Sequence, residues 1–139
     1  MCAAEFFDRG KTEGDEIDRI SCRPDAAILC YAVATLGPFT HGGTRDVITA
    51  GDSALVQALS GEKNVPDDCP PMFIWHTAED QGVPVENALL MGQALSQKNI
   101  PFELHIFPHG PHGVGLAGDY PETAQWAKLC RRFLKSLEF

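Results

Sequence analysis

At 139 residues the chain has room for one domain with a core of its own and too little for two ordinary ones, and 44% hydrophobic with 22% charged residues is a globular rather than a disordered composition. Nineteen acidic residues against eleven basic ones, a formal charge of −8, weigh against nucleic acid as a partner, because that binding rests on clustered Lys and Arg. No apolar run approaches the roughly 20 residues that a membrane-spanning helix needs, so no membrane partner is expected.

Met1-Cys2-Ala3-Ala4-Glu5 lacks the basic stretch and apolar core of an export signal. Five cysteines (Cys2, Cys22, Cys30, Cys69 and Cys130) are scattered, odd in number and never paired as CxxC. That pattern predicts free thiols in a cytoplasmic protein rather than a zinc site or a disulfide framework. Residues 25–33 form an apolar run too short for a typical helix, as expected of a strand covered on both faces of a parallel sheet. Ser53 to Leu59 predicts a short helix, with Asp52 or Ser53 as N-cap. A second strand follows at 71–77, behind two prolines. Glu86 to Lys98 predicts a helix with Ala88, Met91, Ala94 and Leu95 on one stripe. Residues 102–107 alternate, as a strand nearer an edge does. The last helix is expected from about Pro121 to Leu137, burying Trp126, Ala127, Cys130, Phe133, Leu134 and Leu137, with Asp119 and Pro121 at its start.

This alternation predicts an α/β fold with parallel strands, whose chemistry collects in the loops beyond the strands' carboxyl ends. Thr77-Ala78-Glu79-Asp80-Gln81-Gly82 follows the second strand, and Pro108-His109-Gly110-Pro111-His112-Gly113 follows the third. A carboxylate in one loop and an imidazole in the next suit a catalytic triad. The acid fixes the tautomer of the ring, and the ring moves a proton on and off a hydroxyl. On spacing alone, an Asp that caps its own turn and an exposed loop histidine are equally ordinary readings. His76 and His105 sit within strand patterns, where a core or surface histidine is expected, and His109 suits a pocket rim. No histidine shows the i, i+4 spacing with Glu of zinc hydrolases, so neither a metal nor a cofactor is expected.

The segments Arg23–Tyr31, Thr40–Thr44, Pro70–Asp80, Val83–Asn87 and Phe107–Leu116 together resemble bacterial acetyl esterase and lipase-like α/β-hydrolases. These lie in the branch near dienelactone hydrolase, feruloyl esterase and prolyl oligopeptidase-like enzymes. The resemblance runs from about residue 15 to the end. It implies the C-terminal half of an α/β-hydrolase fold, about three parallel strands with flanking helices, and a small ester as substrate. It places the triad acid on Asp80, with Glu79 as fallback, and the triad histidine on His112.

One part of the pattern is missing. The Gly-x-Ser-x-Gly elbow that carries the nucleophile in such enzymes is absent, and Ser21, Ser53, Ser60, Ser96 and Ser136 lack its flanking glycines. Residues 1–20 resemble the helix and loop that follow the elbow, so the whole of 1–139 reads as a single partial domain. The upstream oxyanion loop is missing too. His41-Gly42-Gly43-Thr44 looks like such a loop but lies on the wrong side of the expected elbow, and reads as a turn entering a helix. Cys22 and Cys30 lie in no elbow, although dienelactone hydrolase-like enzymes use a thiol.

Three functions fit this half-site. The first is a carboxylic-ester hydrolase by family that is inactive as an isolated chain. The second is an esterase completed by a second copy or a complementary fragment, and the third a non-catalytic binding or assembly module. An uncovered strand at 25–33 predicts association, a homodimer above all, unless residues 1–20 fold back over it.

Overall fold

The core is organised around one strand that is buried along its whole length. In the computed structural model, which describes residues 2–138 apart from the side chain of Cys2, β2 (Met72–Thr77) lies between β1 (Ala27–Cys30) and β3 (Phe102–Phe107). Both pairings are parallel, with Leu29 opposite Ile74 and Ile74 opposite Leu104. Every residue of β2 is buried, which is why Met-Phe-Ile-Trp-His-Thr reads as a continuous apolar run rather than an alternating one.

Alternation along the strands divides the core into two layers. On one face, Leu29, Met72 and Ile74 pack against Ala88, Met91, Ala94 and Leu95 of α4 (Glu86–Gln97), together with Ala4 of α1 (Cys2–Glu5). On the other, Phe73 and Trp75 meet Cys130 and Phe133 of α5 (Trp126–Ser136), and Trp126 stacks on Trp75 at 4.9 Å. Between β1 and β2 run α2 (Gly42–Thr49), α3 (Ser53–Leu59) and a 3-10 turn at Gly61–Lys63.

Four details depart from the sequence-based expectations. The strand expected over 25–33 is only four residues long, because Tyr31 turns out of it at φ 38°. The second face of β1 is only half covered where full cover was expected: Leu29 is buried, while Cys30 packs partly buried against the α5 layer and Ile28 is 42% exposed. The final helix starts at Trp126, after a 3-10 turn at Thr123–Gln125. There the Thr123 hydroxyl donates to the His109 carbonyl at 2.5 Å, tying the first turn to the preceding loop. The full extent of α2 had no sequence signal either, since two glycines open it and Val47 is 85% exposed.

Asn87 ties the loop after β1 to α4. Its Oδ1 accepts from the Ala34 and Thr35 amides at 2.9 and 3.0 Å, and its Nδ2 donates to the Phe39 and Pro84 carbonyls. All the hydrogen-bonding capacity of a fully buried side chain is used. The loop leaving β1 is thereby pinned to α4. Residues 6–24 form no regular element and pack near Asp68, which Arg9 holds at 2.7 Å. Met1, the first residue of the expected remnant, lies outside the described residues.

Candidate active site

The carboxyl ends of β2 and β3 lie side by side, so the loops that follow them meet. Asp80 sits in a tight turn after β2. Its Oδ1 accepts the Gly82 and Val83 amides at 2.8 and 2.9 Å, and its Oδ2 lies 2.9 Å from His112 Nδ1. Desolvation pushes the buried carboxyl up, but the Val83 amide, His112 and the Gly82 amide outweigh it and hold Asp80 below its ordinary value. The group is therefore a carboxylate at neutral pH. Facing that acceptor, a neutral His112 carries its proton on Nδ1, which leaves the Nε2 lone pair free to accept one. The ring is 43% exposed, while the Asp80 side chain is fully buried.

Close approach of the two loops depends on Gly82, where a Cβ would stand 3.2 Å from that of His112 and 3.4 Å from Asp80 Oδ1. Beyond His112, Gly113 adopts φ 76°, a region that favours glycine, and the chain turns sharply away. From the third side, Tyr31 places its ring 5.0 Å from both the His112 and the Trp75 rings, edge to face in each case. The carboxyl ends of all three strands thus contribute to one site.

The neighbouring acid and histidine form a pair of their own. Glu79 accepts the Gly110 amide at 2.7 Å and lies 3.2 Å from His109 Nδ1. Asp80, not Glu79, is the residue that meets His112. His41 caps α2, accepting the Thr44 amide, and His105 pairs with Glu103 at 3.0 Å, so neither approaches the site. Cys22, Cys30, Cys69 and Cys130 are free thiols. Burial pushes Cys30 and Cys130 up and Cys69 to about 11, the reverse of an activated nucleophile. Among the described residues no serine hydrogen-bonds to His112. The hydroxyls of Ser21, Ser60 and Ser136 donate to the carbonyls of Asp8, Val56 and Phe133, and among the described residues no group of three or more metal-ligating side chains occurs.

Sequence reasoning missed one resident of the site. His76, at the end of β2, is fully buried beneath the Asp80 turn, with Nε2 at 2.9 Å from the Val83 carbonyl and 3.3 Å from Asp80 Oδ2. The spacing of four residues between His76 and Asp80 was visible but had no meaning until the turn was known.

A model of the prolyl oligopeptidase family matches residues 28–136. The chain belongs to that family. It is 45% identical over 119 residues to endo-1,4-beta-xylanase B of Butyrivibrio fibrisolvens, which covers 84% of this chain and 19% of that protein. Among solved structures, the acetyl ester-xyloside bifunctional hydrolase from Caldicellulosiruptor lactoaceticus superposes with a TM-score of 0.93 at 44% identity, covering 99% of this chain and 52% of that one. A thermophilic esterase from Thermogutta terrifontis gives 0.72 at 26% identity, covering 98% and 50%. The three parallel strands and flanking helices are those of the α/β-hydrolase fold shared by such esterases. The chain spans about half the length of these structures.

Proposed function

We propose that this chain is part of a carboxylic-ester hydrolase of the serine type, in which buried Asp80 orients His112 as the general acid and base. The observation that carries this reading is the 2.9 Å contact between Asp80 Oδ2 and His112 Nδ1, with the other ring nitrogen unpaired among the described residues. In the reaction, His112 Nε2 takes the proton of an attacking hydroxyl while Asp80 stabilises the imidazolium, and the same nitrogen returns the proton to the leaving alkoxide. Ester hydrolysis is supported by the similarity to an acetyl ester-xyloside hydrolase and an esterase. An acetylated sugar is the substrate class closest to those relatives.

The nucleophile and the oxyanion donors come from outside this chain. None of its serines lies in an elbow sequence, and among the described residues none is bonded to His112. Residues 1–139 then form one partial domain, with residues 1–20 the remnant of the helix and loop after the elbow. The chain alone should not turn over p-nitrophenyl acetate above the rate of free imidazole, and a fluorophosphonate should label none of its serines. Serine-labelled, robust turnover would defeat the proposal.

A second reading, an esterase completed by another chain, is favoured by the uncovered apolar edge of β1. Tyr31, which directly follows β1, touches His112, so a strand added there would end beside the imidazole. A homodimer through the same edge is the competing use of that surface. The free thiols fit a reducing compartment, and we assign the chain to the cytoplasm on that ground. No helix among the described residues is long and apolar enough to cross a membrane.

A further inference from the structure

We propose that His76 is a positioning residue for Asp80, its buried ring fixing through Val83 the turn that aims the carboxylate at His112. The inference rests on the reading of Asp80 and His112 given above. His76 Nε2 faces two acceptors, the Val83 carbonyl at 2.9 Å and Asp80 Oδ2 at 3.3 Å. The proton of a neutral ring therefore sits on Nε2. Val83 closes the circuit, since its amide donates to Asp80 Oδ1 at 2.9 Å while its carbonyl accepts from His76. The ring thus holds the backbone that binds the carboxylate and stands in contact with the carboxylate itself.

Packing alone does not account for a histidine here. The side chain is completely buried, and its Nδ1 has no hydrogen-bond partner among the described residues. An apolar residue of the same volume would fill the space without leaving a nitrogen unpaired. Burial also pushes the ring below its ordinary value, against the Val83 carbonyl and Asp80, so it donates as a neutral group and does not cancel the charge that Asp80 presents to His112. Without His76, the Val83 peptide whose amide binds Asp80 Oδ1 loses the donor that holds its carbonyl. The acid then loses the orientation that makes it useful to the histidine.

The test needs no turnover, so it does not depend on finding the nucleophile. In the full chain, NMR follows the downfield Nδ1 proton of His112 and the titration of the Asp80 carboxyl carbon. In His76→Leu the proton should exchange roughly tenfold faster, and the Asp80 midpoint should rise by about one pH unit. His76→Gln, whose amide reaches the position of Nε2, should keep both near wild type, whereas His76→Asn, whose amide stops short, should behave as His76→Leu does. If His76→Leu does not fold, equal values in the Gln and Asn variants overturn the proposal. If it folds with wild-type values, it overturns the proposal directly. Absence of the downfield proton in the wild type would instead defeat the Asp80–His112 pairing itself.

Discussion

The two edges of the sheet are finished in different ways. On β3, Glu103 and His105 pair at 3.0 Å, with side chains 41% and 26% exposed, and charged groups of this kind discourage another strand from adding. On β1, Ala27-Ile28-Leu29-Cys30 carries no charge at all. The amides of Ala27 and Tyr31 bond to the Pro71 and Trp75 carbonyls, so alternation turns the polar backbone of Ile28 and Cys30 toward the free side. Beside that edge lies a groove of about 500 Å³ lined by Ile28, Trp126, Cys130 and Leu134 among others. β3 is built as an outer edge. β1 has the composition of an interior strand, and it is β1 that leads directly to Tyr31 and His112.

Substitutions along the sheet test this contrast, beginning with the most disruptive. The shared reference is β2, where Phe73 is fully buried between β3 and α5, with its ring 5.8 Å from that of Phe133. Phe73→Ala should cost about 3–5 kcal/mol in urea unfolding, and a loss below ~1 kcal/mol would mean that the core does not depend on this layer. Between the edges, Ile28→Lys should weaken self-association at least about tenfold in sedimentation, equivalent to ~1.4 kcal/mol. Ile106→Lys on β3, which replaces a side chain of similar exposure, should leave it unchanged. Equal effects, or a wild-type chain that is monomeric at tens of micromolar, would erase the distinction between the edges.

The acids near each edge differ in the same way. In α1, whose Ala4 packs in the layer of Leu29, Glu5 is buried and its oxygens have no hydrogen-bond partner among the described residues. Desolvation raises it to about 7. Because the folded value lies above the ordinary 4.5, the favourable contribution is complete below that value and is lost as pH rises through about 7. The melting temperature should therefore fall between about pH 4.5 and 7 and level off above that, and Glu5→Gln should flatten that dependence and be the more stable form at the upper end. A wild-type curve as flat as that of the variant would show that Glu5 is solvated. Smallest of all, Glu103→Ala on β3 should cost less than about 1 kcal/mol, as partly exposed ion pairs do. A larger loss would make that edge more than a shield.

Apolar spacing was enough to read the three strands, α3, α4 and most of α5, because burial on a fixed face imposes a period that sequence records directly. The same order of strands and helices implied a parallel sheet, and with it two loops, carrying Asp80 and His112, at one end. That these residues hold no Gly-x-Ser-x-Gly run is read from the sequence directly, since the motif is a local run of residue types. Tertiary structure decided which members of those loops meet. Asp80 turns to His112 and Glu79 to His109 only because the Gly82 and Val83 amides rotate one carboxylate inward. It also decided that His76 lies beneath the acid, that Asn87 ties the loop after β1 to α4, and that Ile28 stands half bare. Each of these depends on distances between segments far apart in the chain or on a turn's rotation. Hydrophobic periodicity carries no information about either.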